Sequence, residues 1–70
     1  MLYDDKLTTL MIERDVAIKA AELRAKYRIR TPDAIQIATS IIGNAGAFIT
    51  NDIALKKVKE IVVLILDDFL

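Results

Sequence analysis

Six consecutive apolar residues, Ile61-Val62-Val63-Leu64-Ile65-Leu66, form the longest apolar run of the chain. The run has the length of a strand and falls far short of a membrane span. Alternation of apolar and polar residues would mark a strand with one wet face. A continuous β-branched and leucine run instead suits a strand covered on both faces, as in parallel sheets. A second apolar run, Ala47-Phe48-Ile49-Thr50, reads as its companion strand. Parallel partners need a crossover between them, and the intervening residues supply a short helix. Asn51-Asp52 caps it, and Leu55 and Val58 face inward.

Two longer helices precede this unit. From Asp15 to Arg28, Val16, Ala20, Leu23 and Tyr27 recur at helical spacing and form one apolar stripe. Asp15 is the expected N-cap, and Glu22 stands four residues before Lys26, the favourable order for an ion pair. Thr31-Pro32 starts the next helix, with threonine as N-cap and proline at the first helical position, where its missing N–H costs nothing. Ala34, Ile37, Ala38 and Ile41 make its buried face, broadened by Ile35 and Ile42. Gly43 or Asn44 ends it in the left-handed conformation. Thr8-Thr9-Leu10-Met11-Ile12 reads as a strand or as an extension of the first helix, and its β-branched character favours the strand. The expected architecture is α/β, with short parallel strands flanked by helices.

Composition narrows the chemistry. The chain has 70 residues, enough for one domain, with no internal repeats or linkers. Ten basic and ten acidic residues cancel, so no global field draws in nucleic acid or membrane. There is no cysteine, so disulfides and thiolate sites are excluded. There is no histidine, which removes the commonest general base and transition-metal ligand. A bound metal must therefore be hard and oxygen-ligated, which points to Mg2+ or Mn2+. The N-terminus lacks the basic and apolar segments of a signal peptide, so a cytoplasmic location is expected. With 54% hydrophobic residues and no staple, a core of this size seldom yields more than about 3–5 kcal/mol, and self-association is expected to add to it.

The candidate site residues are acids. Asp33 stands in the first turn of its helix and Asp52 directly follows a strand. Each has an ordinary structural explanation, as a partner of the helix dipole and as a cap. Their positions favour more. In a parallel sheet, ligands bind beyond the carboxyl ends of the strands, where Asp52 lies. The helix begun by Asp33 returns to the start of that same strand, so both carboxylates face one edge. Converging anions repel, and a divalent cation is the natural remedy. Thr50 and Asn51 are candidate supports. Asp67-Asp68 reads as a solvated pair and Asp4-Asp5 as a polar tail. Arg24, Lys26, Arg28 and Arg30 can hold nucleic-acid phosphates, but helical spacing spreads them over more than one face, and a solvated surface is the preferred reading.

"AAELRAKYRIRTPDAIQIATS", then "AFITND", then "VVLILDDF" resembles the C-terminal half of PIN-domain ribonucleases, most closely the VapC-type toxins of toxin–antitoxin pairs. The resemblance runs from about Thr9 onward. It implies a parallel α/β fold and RNA cleavage with Mg2+ or Mn2+ held by a cluster of acids. Asp33 matches the acid of the "PDA" segment and Asp52 that of "TND", with Thr50 in support. Two further family acids belong to an N-terminal half with no counterpart here. The resemblance therefore implies a single partial PIN-like domain over residues 1–70, with weak or absent catalysis. Without the family's first strand, the Ala47–Thr50 edge is bare, and a homo-oligomer is expected to cover it. An antitoxin protein and an RNA substrate are the other partners implied. The alternative is a non-catalytic binding module that keeps an antitoxin-binding or self-association surface.

Overall fold

The computed structural model describes residues 6–69. The Asp4-Asp5 tail lies outside them. Helix α1 (Lys6–Tyr27) is followed by α2 (Thr31–Ile42), strand β1 (Ala47–Thr50), a short 3-10 segment (Ile53–Lys57), β2 (Val62–Ile65) and a terminal 3-10 turn (Leu66–Phe69). The two strands pair in parallel, with Ala47 opposite Val62 and Thr50 opposite Ile65. This is the expected α/β class.

The core is built where the apolar stripes meet. Ala20 and Leu23 of α1 pack with Ala34, Ile37 and Ala38 of α2, with Leu55 and Val58 of the crossover, and with Val63 and Ile65 of β2. Val16, Tyr27, Ile41 and Phe48 close over this cluster from its margins. Small residues at Ala34 and Ala38 let α1 and α2 approach closely, and both are fully buried.

Three local expectations are corrected. Thr8–Ile12 is helical, so α1 starts at Lys6 and Asp15 is an exposed interior residue instead of a cap. No glycine or proline interrupts the segment, and modest β propensity gives way where a helix can simply continue. Helix α2 begins at Thr31, so the N-cap is Arg30, whose side chain makes no capping hydrogen bond. Glu22 pairs with Lys19 at 3.1 Å, because Lys26 is drawn to Glu60 at 3.2 Å.

The sheet also differs from a strand pair covered on both sides. Val63 and Ile65 point into the core while Val62 is 58% exposed, and on β1 Ile49 is 62% exposed. The register puts Ala47, Ile49, Val62 and Leu64 on one outward apolar face. Both helices feed the other face, so only that face is dry.

Helix α1 has a similar split. Its inner stripe meets α2, yet Leu7, Leu10, Met11 and Ile18 stand on the far side, each about half exposed or more. No described helix is long and apolar enough to cross a membrane.

The end of α1 is tied to the β2 approach by a polar cluster. Tyr27 Oη donates to Glu60 Oε1 at 2.6 Å and accepts from the Lys59 N–H at 3.2 Å. Lys26 Nζ reaches Glu60 Oε2 and lies 5.2 Å from the Tyr27 ring centroid. The Tyr27 hydroxyl, and less strongly Lys26, hold the Glu60 carboxyl below its usual range, while Glu60 and Tyr27 raise the Lys26 ammonium.

Candidate active site

The chain turns sharply between α1 and α2, and that turn builds one wall of the site. Arg28 adopts φ 56°, with its N–H bonded to the Arg24 carbonyl at 2.8 Å. This left-handed residue ends α1 and redirects the backbone through buried Ile29 to Arg30 and the start of α2. Asp33 then falls in the first turn of α2, favourably placed at the positive end of the helix dipole.

The opposite wall comes from the end of β1. The Asp52 N–H donates to Thr50 Oγ1 at 3.1 Å, and Asp52 Oδ1 accepts from the Ala54 N–H at 3.0 Å. Two consecutive side-chain-to-backbone turns thus fix the aspartate and start the 3-10 segment. The cap explanation of Asp52 is correct, and it occupies one carboxylate oxygen. Oδ2 makes no hydrogen bond among the described residues.

Between these walls lies a cavity of about 170 Å³. Asp33 and Asp52 both line it, above apolar Ile29 and Leu55. Arg28, Arg30 and Lys57 complete its charged rim. The two acids singled out from the sequence are therefore brought to one place. Thr50 supports Asp52 from behind. Asn51 is exposed in the bend and does not line the cavity. Asp67 and Asp68 lie apart, in the exposed terminal turn. Of the four basic residues considered, Arg28 and Arg30 reach the site, while Lys26 is engaged with Glu60. Lys57, at the end of the 3-10 segment, lines the cavity and went unnoticed in the sequence.

Asp33 is also held by Arg30, whose Nε stands 3.6 Å from Oδ2. At that distance, and with the Arg30 side chain 83% exposed, the pair is loose and solvent-screened.

Residues 2–61 match the PIN domain family. The chain belongs to that family. The match spans most of the 70 residues, and it includes both acids and both walls of the cavity. No curated protein and no solved structure matches the chain.

PIN domains are typically metal-dependent, so the site must be asked whether it suits a cation. Among the described residues no group of three or more acids stands close enough to form a metal cage. Two carboxylates alone match the habit of Mg2+, which often takes one or two protein oxygens and keeps several waters. A single largely hydrated Mg2+ or Mn2+, if bound here, would have Asp33 and Asp52 Oδ2 as the residues available to hold it. The site does not fit a second metal. The nearby cations Arg28, Arg30 and Lys57 would oppose such binding.

Proposed function

We propose that this PIN-domain chain is related to VapC-type ribonuclease toxins, and that Asp33 and Asp52 form a weak site for Mg2+ or Mn2+ facing an RNA phosphate. The observation that carries this reading is the shared cavity, lined by Asp33 from α2 and by Asp52 from the end of β1. A bound divalent ion would polarise the phosphate and lower the pKa of a bound water. The residues of the chain do the positioning. Thr50 Oγ1 and the Ala54 N–H hold Asp52 in place, and Arg30 lies beside Asp33 in a loose ion pair. No histidine is available to move a proton.

Two carboxylates are few for this chemistry. Hydrolysis by the single chain is expected to be feeble or absent, and the related toxin activity describes the family more than this site. An RNA cleavage assay with Mg2+ and with Mn2+ tests this. The expected result is little or no product, whereas robust cleavage abolished by Asp33→Ala would overturn it.

A second reading has its own observation. The outward stripe of α1 and the outward sheet face expose apolar residues on two surfaces of a small molecule. Both suit a non-catalytic module that binds another protein, whether an antitoxin or a second copy. Thermal-shift titration with Mn2+ separates the readings. A rise in melting temperature that needs both Asp33 and Asp52 favours the metal site. No response in wild type, with tight capture of a cognate antitoxin, favours the module.

A further inference from the structure

The two walls of the cavity lead into one polar cluster. Arg28, Ile29 and Asp33 line one side, and Asp52, Leu55 and Lys57 the other. At one end the walls are joined by the backbone of α2 and β1. At the other end the chain runs off in two directions, and side chains make the junction. Tyr27 immediately precedes Arg28, while Lys59 and Glu60 follow Lys57 closely. Tyr27 Oη spans the gap, donating to Glu60 Oε1 at 2.6 Å and accepting from the Lys59 N–H at 3.2 Å. Lys26 Nζ adds a second tie, to Glu60 Oε2. These bonds cross 32 to 34 positions of sequence, whereas the side-chain bonds of Thr39, Ser40, Thr50 and Asp52 stay within four. Both walls have need of such a tie. Arg28 holds a φ of 56°, a conformation that a residue with a Cβ seldom adopts. Residues 58–61 belong to no helix or strand. Tyr27 itself is half-buried and packs against the core, so its hydroxyl is carried by a fixed body.

We infer that Tyr27 is a positioning residue, whose hydroxyl clamps the exit of the 3-10 segment to the end of α1 and so sets the separation of Asp33 and Asp52. Tyr27 does not line the cavity; it acts through two short lengths of backbone. One leads through Arg28 and buried Ile29 to the first turn of α2, the other back through buried Val58 to the 3-10 segment. The hydroxyl donates and accepts at once, a pair of roles that phenylalanine cannot fill. Without it, each wall keeps its local bonds, Arg28 N–H to the Arg24 carbonyl and Ala54 N–H to Asp52 Oδ1, but the distance between walls is no longer fixed. That geometry stands apart from any ligand, while its consequence for a cation rests on the metal-site reading above. Two carboxylates from separate elements share an ion well only when their separation is held, so a loosened cavity binds it more weakly.

The test is amide hydrogen exchange of the full chain, wild type against Tyr27→Phe. Ile41→Val, at the opposite end of α2 from Asp33, is a control with a similar loss of stability. A general loss of stability speeds exchange everywhere, at the amide of buried Ile37 as much as at the walls. The clamp predicts that in Tyr27→Phe the Arg28 and Ala54 amides speed up about five-fold more than Ile37. In Ile41→Val they should follow Ile37. Glu60→Gln keeps the oxygen that accepts from Tyr27 and should retain most of the protection at the walls, whereas Glu60→Ala should lose part of it. Mn2+ affinity, read by electron paramagnetic resonance, should fall several-fold in Tyr27→Phe and stay at the wild-type value in Ile41→Val. Walls that exchange in step with Ile37 in Tyr27→Phe, or that do not change, overturn the inference. Wild-type Mn2+ affinity in Tyr27→Phe also overturns it, and leaves the Asp33–Asp52 site standing. A wild type that binds no Mn2+ removes the metal reading instead, and exchange at Arg28 and Ala54 then decides the clamp alone.

Discussion

At the scale of single residues, Asp52 combines two tasks that a substitution can separate. Its Oδ1 caps the 3-10 segment through Ala54, and it lines the cavity that Asp33 also lines. Asp52→Asn keeps an acceptor oxygen and loses the charge, so stability should hold while any Mn2+-dependent thermal shift disappears. Asp52→Ala removes the cap as well and should cost about 1 kcal/mol, measured by urea denaturation. Glu60 gives a pH prediction. Its folded pKa lies below the unfolded value because Tyr27 and Lys26 stabilise the carboxylate. Its contribution is therefore present above the ordinary carboxylate range and fades as pH falls through the lower folded pKa. Lys26, raised in the folded state, contributes below its usual 10.5 and loses that contribution as pH rises through its folded value. Tyr27→Phe should flatten the acid limb of a melting-temperature profile and cost on the order of 1 kcal/mol at neutral pH. An unchanged profile would contradict the cluster. Asp33 and Asp52 were legible in the sequence because an acid at a helix start and an acid at a strand end each carry a local signature. Arg28, Lys57 and the Tyr27–Glu60 contact carry none. They depend on a left-handed turn, a 3-10 twist and a loop return that only the packed chain defines.

At the scale of elements, α2 is the piece on which the site depends. It contributes three fully buried residues to the core and presents Asp33 from its first turn. Ile37→Ala empties the middle of that contact and should cost about 2–5 kcal/mol. A chain of this size has about 3–5 kcal/mol in all, so the variant should lose its cooperative thermal transition. Arg30→Ser should do the reverse and stabilise α2 by about 1 kcal/mol, by supplying the missing N-cap oxygen. A lower denaturation midpoint for Arg30→Ser would show that the N-cap has been misassigned. The strands and α2 could be read ahead because their apolar patterns agree with their turn residues. The beginning of α1 could not, since Thr8, Thr9 and Ile12 suit a strand while the absence of any breaker suits a helix. Its two apolar faces blur the periodicity further, because residues at nearly every helical angle are hydrophobic. Continuity decided the matter.

At the scale of the whole molecule, apolar surface remains exposed among the described residues. The continuous run from Ile61 to Leu66 implied a strand covered twice, yet Val62 and Ile49 face outward. We propose that these surfaces, with the far stripe of α1, are covered by assembly of copies. Light scattering at micromolar concentration should give a mass above that of one chain, and Leu10→Glu together with Ile49→Lys should lower it. A monomeric wild type would contradict this. At the cavity, we propose that Asp33 and Asp52, from separate elements of a PIN-domain chain, share one divalent ion. Mn2+ binding followed by electron paramagnetic resonance measures that directly. The account predicts about one weakly held Mn2+ per chain, lost in both Asp33→Asn and Asp52→Asn while each variant stays folded. Binding that persists unchanged in either variant, or is absent from the folded wild type at millimolar Mn2+, would contradict it.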